Sequence, residues 1–439
     1  MKKNKRSNKI NAHPANNQFS NRISKVLSEL RKSSSSLVLS APNSVTRTHD
    51  LDYPYRPNSD FYYLTGSTQK NVTLVIDGTR NQAFLVGKKP SEHEKIWDGI
   101  GESLKNQAKR INATLIETDN SNKSVLDLTI GAKKIYTSNA YSNTAASYLH
   151  KFISEKTAVN RGKFTSCTES TDSILHPMRL IKDKHEVMAI SESINITIKA
   201  MLESLPTIAS NSNENIVART VEYWFGVLGA TPGFGTIAAS GKNAAILHYT
   251  QCTSKLKNNE LLLLDCGAEH QMYCGDITRV FPVNGKFIGP QKDIYQIVLS
   301  AQKKAISKVK AGIKIKAVYD AALKVLIDGL KDLKVVSGSV ESILKQNKFK
   351  KYFPHGIGHS LGIDVHDVGG HRANNDAILH EGMVFTVEPG LYFNTPIRNI
   401  PAMGIRIEDD VLVTRNGCKV LSDLMPKEIK DIEAILAYN

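Results

Sequence analysis

The chain has 439 residues, 41% apolar and 23% charged, with a formal net charge of +15. That is the make-up of a globular protein with a sizeable core, in two to three domains at roughly 100–200 residues each. No apolar run nears the ~20 residues of a membrane-spanning helix, and no membrane partner is expected.

The positive charge sits in two blocks. Residues 1–32 hold nine Lys/Arg and one Glu, and residues 301–351 hold thirteen Lys and four acids, which leaves the remainder close to neutral. The second block interleaves its lysines with apolar residues at helical spacing, as in KAVYDAALKVLIDGL, and reads as a solvated helix face. A nucleic-acid partner is therefore not the expectation. Cys167, Cys252, Cys266, Cys274 and Cys418 are odd in number and lack zinc-motif spacing, which points to free thiols and a reducing cytoplasm.

In chain order, MKKNKRSNKINAHPANNQ is basic and polar and has no apolar core of a secretory signal, so residues 1–18 are expected to form a disordered tail. A helix follows at 19–32, then SSSSLVLSAP turns into a buried strand. NVTLVIDGTRNQAFLV predicts a hairpin around Asp77-Gly78. KSVLDLTIGAKKIYTSNA continues a pattern of helix and strand, giving a small α/β domain over 19–176. A second domain, 177–439, begins near a helix N-terminus: Asp183 is the expected N-cap, with Glu186 completing a capping box. Val187, Ile190, Ile194 and Met201 recur at helical spacing behind it. Further helices are expected at about 290–311 and 316–331. LLLLDCG reads as a buried strand, ITRVFPVNGKF as a hairpin around Asn284-Gly285, and GIRIEDDVLVT as one alternating strand.

Five residues in these segments have metal-ligand chemistry. Asp265 ends an apolar strand, and Asp276 opens another eleven positions later; an antiparallel pairing puts both on one face. A carboxylate buried there needs a cation or a partner. His359 lies in PHGIGHSLGIDVHDVG with His355 and His366 among glycines, which let backbone approach a ligand closely. Glu388 interrupts the apolar run MVFTVEPGLYF. Glu408 shares a strand face with Arg406 by the period of two. Singly, each has a plainer reading: a turn aspartate, a surface histidine, a solvent-facing Arg/Glu row. Together, four carboxylates and an imidazole form an oxygen-rich ligand set suited to Mn, Co, Zn or Fe.

In order, type and setting these residues resemble the aminopeptidase P/prolidase branch of the pita-bread metallopeptidases, over roughly residues 45–439. YPYRPNSDFYYLTGS at 53–67 and EKIWDGIGES at 94–103 resemble the aminopeptidase P N-terminal domain in particular. The resemblance implies an α+β protein, with a C-terminal pita-bread domain preceded by the smaller α/β domain. It implies a metal-dependent exopeptidase that releases the residue before a proline at position two. Two metal ions are implied, manganese foremost. Asp276 and Glu408 would bridge them, Asp265 would chelate one, and His359 and Glu388 would complete the other. Glu388 would also be the base that generates a metal-bridged hydroxide. His248 would stabilise the carbonyl oxygen or tetrahedral intermediate, and His366 would contact the substrate. His355 would shape the proline pocket, Tyr392 would touch substrate, and Arg406 would orient a ligand carboxylate. Trp97 resembles a residue that reaches a neighbour's active site in a homo-oligomer, a dimer or tetramer.

Three departures stand out. Val280 replaces a usual Thr, Asn375 stands where an Arg is common (Arg372 is nearby), and the first ~40 residues have no counterpart. The rival readings are an Xaa-Pro dipeptidase, a methionine aminopeptidase, and a non-catalytic pita-bread module that binds protein or nucleic acid. The presence of all five ligand types disfavours the last.

Overall fold

The computed structural model describes residues 17–99, 101–138, 148, 149, 151, 168–369 and 376–437. Cys167, Arg372 and Asn375 lie outside the described residues, as do the first sixteen residues of the expected tail. The chain divides into two compact units between Pro177 and Met178.

In the first unit the apolar segment SLVLS forms β1 (Ser36–Ser40), buried along its whole length. It lies between β2 (Thr73–Asp77), antiparallel to it, and β5 (Ile135–Thr137), parallel to it. With β3 (Gln82–Gly87), β4 (Thr114–Glu117) and β6 (Thr168–Ser170) the order is β4-β3-β2-β1-β5-β6, a mixed six-stranded sheet. The expected hairpin is present, in register Asp77↔Gln82. Asp77 closes it by accepting from the Thr79 amide (2.8 Å) and hydroxyl (2.6 Å). Val38, Val75, Phe84, Val86, Val125 and Ile135 form a core on the sheet. Helix α1 (Asn17–Ser33) buries Ile23, Val26 and Leu30, three positions on one helical stripe. Its Arg22 stacks over Tyr63 at 4.0 Å and donates to the Tyr63 carbonyl at 2.9 Å, tying α1 to α2 (Ser59–Thr65). Trp97 ends the short helix α3 (Glu92–Trp97) and is 70% exposed.

The second unit opens with the expected capping box. Asp183 accepts from the His185 and Glu186 amides, and Glu186 accepts from the Asp183 amide. The helix it starts, α4 (Lys184–Ser204), buries Ile190, Ile194 and Met201. Three strands then pair antiparallel: β7 (Ile237–Ser240), β8 (Leu261–Cys266) and β11 (Ile277–Pro282). The central one, LLLLDC, is buried at every position and so on both faces, which is why its sequence is apolar rather than alternating. Two short strands, β9 (Ala268–His270) and β10 (Tyr273–Cys274), form a small loop between β8 and β11. Helices α5 (Gly289–Ile306) and α6 (Ile315–Asp332) come next, the first ending five residues short of the expected 311. Two further antiparallel pairs complete the site's frame. β12 (Val384–Val387) pairs with β15 (Asp409–Val413), and β13 (Gly390–Phe393) with β14 (Met403–Arg406).

Two expectations fail here. Asn284-Gly285 makes a turn, with Gly285 at φ +79°, but no strand returns. The Asn284 side chain accepts from the Lys286 amide, and Phe287 buries its ring 4.5 Å from Tyr295 of α5. The three residues after the turn therefore serve as a helix entrance, with Pro290 in the first helical turn. GIRIEDDVLVT is not one strand either. It breaks at Ile407-Glu408, and its halves join different sheets. Arg406, Glu408, Asp409 and Asp410 are all buried, which rules out a solvent-facing Arg/Glu row.

Candidate metal and peptide-binding site

The site grows out of strand register. Asp265 lies opposite Thr278 across β8/β11. Asp276 is two positions before Thr278, on the same face by the period of two. The Asp276 amide donates to Asp410 Oδ2 at 3.0 Å, which anchors the start of β11 to β15. Thr278 then reaches the next segment: its hydroxyl donates to Glu408 Oε2 at 2.6 Å, and its carbonyl accepts from the Glu408 amide at 3.2 Å. Arg406 donates to Thr278 Oγ1 (3.1 Å), to the Tyr392 hydroxyl (3.0 Å) and to Asp265 Oδ2.

His359 arrives from the glycine-rich loop. A Cβ on Gly358 would sit 1.9 Å from the Thr386 carbonyl oxygen, so only glycine lets this loop lie against β12. The His359 amide donates to Thr386 Oγ1 at 3.1 Å. Its Nδ1 is 3.1 Å from the Ser360 carbonyl, so Nδ1 carries the proton and the Nε2 lone pair is presented. Nε2 faces Asp276 Oδ2 at 3.5 Å and Glu388 Oε1 at 3.7 Å. Ligand atoms of Asp276, His359 and Glu408 all lie within 4.8 Å of one another.

The spacings from Nε2 to the two carboxylates are too long for hydrogen bonds but suit groups around a common ion. Among the described residues Asp265 Oδ1 is buried with no hydrogen-bond partner. Burial pushes the Asp276 and Glu408 carboxyls well above the usual range, and the neighbouring carboxylates push them further. Burial also raises Asp265, outweighing Arg406. For Glu388 burial acts upward too, but His355, His359 and Arg406 outweigh it and hold the carboxyl below its ordinary value. Three buried carboxylates, Asp265, Asp276 and Glu408, with the half-buried Glu388 beside them, fit divalent cations, whose charge would reverse the three upward shifts.

A cavity of about 590 Å³ opens onto this cluster, a volume typical of small-ligand sites. His248, His355, His359 and His366 line it with Asp265, Asp276, Glu388, Arg406 and Glu408. His366 packs edge-on against His359, centroids 4.2 Å apart. His355 Nε2 lies 2.9 Å from the Tyr392 hydroxyl and its Nδ1 lies 2.9 Å from the Gly356 carbonyl. Burial pushes Tyr392 up to about 12, so its hydroxyl stays protonated, accepts from Arg406 and donates to His355. Tyr392 thus reaches the site through His355 and Arg406 and is not itself among the cavity-lining residues. Trp97 belongs to the first unit, apart from these residues in the chain's division.

The sequence did not point to Thr386, Asp410 or the apolar lining residues Phe234, Leu247, Ile315, Tyr319 and Val365. Thr386 stands two positions before Glu388 on the same strand face, a signal that was available. The lining residues come from separate elements and leave no common pattern.

The model of metallopeptidase family M24 matches residues 188–415, and that of the aminopeptidase P N-terminal domain matches residues 19–136. Xaa-Pro aminopeptidase of Escherichia coli is 32% identical over 431 residues, covering 95% of this chain and 97% of the relative. The chain belongs to the Xaa-Pro aminopeptidases of family M24. Among solved structures, proline aminopeptidase P II from Yersinia pestis is similar with a TM-score of 0.90 at 31% identity, covering 96% of this chain and 99% of that one. Aminopeptidase P from E. coli with the inhibitor Pro-Leu gives 0.89 at 31% identity, covering 96% and 98%. This aminopeptidase P family member thus combines the α/β N-terminal domain and the pita-bread metallopeptidase domain. The N-terminal match begins at residue 19, well before residue 45, where the motif resemblance begins. Helix α1 carries no motif, yet Arg22 and its apolar stripe make it part of the domain. Among the described residues no helix is long and apolar enough to cross a membrane.

Proposed function

We propose that this aminopeptidase holds two divalent metal ions, manganese foremost, in the Asp265/Asp276/His359/Glu388/Glu408 cluster, and that it cleaves peptides between residue one and a proline at position two. The observation that carries the metal assignment is the convergence of ligand atoms at Asp276, His359 and Glu408, beside an orphaned Asp265 oxygen. Asp265, Asp276, His359, Glu388 and Glu408 would together hold the ions. Metal ions in such a site lower the pKa of water and polarise a carbonyl, chemistry that needs no N–H on the scissile bond.

The chain's own groups do the rest. Glu388 is held ionised by His355, His359 and Arg406, so it accepts the proton of the attacking water and passes it to the leaving imide nitrogen. Proline has no N–H and a fixed φ, so delivery of that proton to nitrogen is the demanding step. His248 and His366 border the cavity, where they stabilise the carbonyl oxygen and hold the substrate. His355 is locked by the Tyr392 hydroxyl and shapes the proline pocket. Arg406 keeps Asp265 oriented.

Two further assignments belong to this reading. Trp97 is exposed on α3 and would complete a neighbouring copy's site in a dimer or tetramer. A cytoplasmic location fits the free Cys252, Cys266, Cys274 and Cys418. The experiment that tests the substrate is a comparison of Xaa-Pro-Yaa-Zaa peptides with Xaa-Pro dipeptides. Release of the first residue from the longer peptides is expected, and turnover of dipeptides alone would replace this reading with that of an Xaa-Pro dipeptidase.

A further inference from the structure

Four charged side chains that the reaction does not use directly, Arg179, Lys182, Asp364 and Asp367, meet in a cluster behind the histidine loop. Arg179 and Lys182 come from RLIK, immediately before the Asp183 cap, and both are buried. Arg179 Nη2 lies 2.7 Å from Asp364 Oδ2 and 2.5 Å from Asp367 Oδ1. Lys182 Nζ lies 3.0 Å from Asp367 Oδ2. The side chain of Asp367 is 2% exposed, so its pairs with Arg179 and Lys182 are desolvated, whereas Asp364 is partly exposed.

The two aspartates bracket His366. The loop between them folds tightly onto the cluster. The Asp367 amide donates to the Ser360 carbonyl at 2.9 Å, and the Gly362 amide to the Asp364 carbonyl at 3.1 Å. A Cβ at Gly362 would stand 2.1 Å from Asp367 Oδ2, so the loop backbone lies directly on this carboxylate. The Lys182 amide in turn donates to the Gly382 carbonyl at 2.9 Å, fixing the cationic segment to the entrance of β12.

His359 has a separate support. Its carbonyl accepts from the Thr386 amide at 2.9 Å, and the Leu361 amide donates to the Val384 carbonyl at 3.0 Å, so β12 itself holds it. Among the described residues no named strand includes His366, and the aspartates on either side of it are instead anchored by charge. We infer that Arg179, Lys182 and Asp367 are positioning residues, which hold His366 at the substrate face of the cavity while leaving the metal ligand His359 to β12. The inference rests on the reading of His366 as a substrate contact.

Rate and metal content should therefore respond differently to the loss of this cluster. Asp367→Asn keeps the shape and removes the charge. It should lower kcat/KM by about 10-fold or more at unchanged metal content, because the ligands do not depend on the cluster. The loss should appear with His366 present and vanish without it. In a double-mutant cycle on the full chain loaded with manganese, Asp367→Asn added to His366→Ala should cost less than about twofold further. Lys182→Met, which leaves the Arg179–Asp367 pair in place, provides a milder variant should Asp367→Asn fold poorly. Arg179→Lys should restore part of what Arg179→Met loses. Additive losses in the cycle, or loss of metal in parallel with activity, would overturn the inference. If His366→Ala alone retains full kcat/KM, the substrate-contact role of His366 fails, and with it the inference. Full activity for His366-intact Asp367→Asn overturns the inference alone.

Discussion

Thr278→Val is the most informative substitution in the site. It removes one hydroxyl and keeps the volume, at a fully buried position. That hydroxyl serves two partners, donating to Glu408 Oε2 at 2.6 Å and accepting from Arg406 Nε at 3.1 Å. A hydrogen bond to a charged group contributes about 1.5–3 kcal/mol, and a supporting partner of a metal ligand typically changes metal affinity by about 10–100-fold. The two figures agree, since about 1.4 kcal/mol is tenfold. Thr278→Val should therefore bind manganese about 10–100-fold more weakly, read by competition with a fluorescent chelator. At saturating metal, kcat should recover most of its value, because Glu388 is untouched. Wild-type metal affinity in the variant would refute the reasoning that Thr278 holds Glu408 in its ligating orientation.

The same geometry sets the response to pH. Asp276 and Glu408 have carboxyls raised above their ordinary range in the metal-free protein. Metal must displace their protons, so affinity should rise as pH climbs through the raised values, with proton release visible by calorimetry in buffers of different ionisation enthalpy. Proton-independent binding across that range would contradict the shifts. Asp367 behaves in the opposite way. Burial works against its charge, but Lys182 and Arg179 outweigh burial and hold its carboxyl low. Its stabilisation is full above the unfolded value near ~3.9 and is lost as pH falls through the depressed folded value. Asp367→Asn should thus be less stable near neutrality and show a flatter acid limb in urea melts; an unchanged acid limb would count against the pairing. Glu388→Ala should lose at least about 100-fold in kcat with the fold retained by circular dichroism, and preserved turnover would remove Glu388 as the base.

Much of this was legible in the sequence where chemistry and setting disagree. Glu388 in an apolar run and Asp265 at the end of LLLLDC are anomalies that a fold built only for stability would not keep. The Asp183/Glu186 cap and the Asp77 turn were legible because local hydrogen bonds decide them. Asn284-Gly285 misled because a turn signal does not specify the element on its far side; Phe287 packs on the next helix instead of pairing back. The break at Ile407-Glu408 was hidden because both halves alternate like strands, and only their pairing with different partners separates them. Arg179 and Lys182 lie more than 180 positions from Asp367, so no local pattern could join them. Trp97 and the oligomer it implies rest on resemblance, since nothing among the described residues around α3 identifies a partner.

The central claim is a two-metal site that serves Xaa-Pro cleavage. Its most direct test is titration of metal-stripped protein with manganese while release of the first residue from an Xaa-Pro-Yaa-Zaa peptide is monitored. Activity absent after chelation, returning and saturating at two equivalents per chain, is the predicted result. Full activity in the stripped protein, or saturation with no dependence on Asp276, His359 or Glu408, would contradict it.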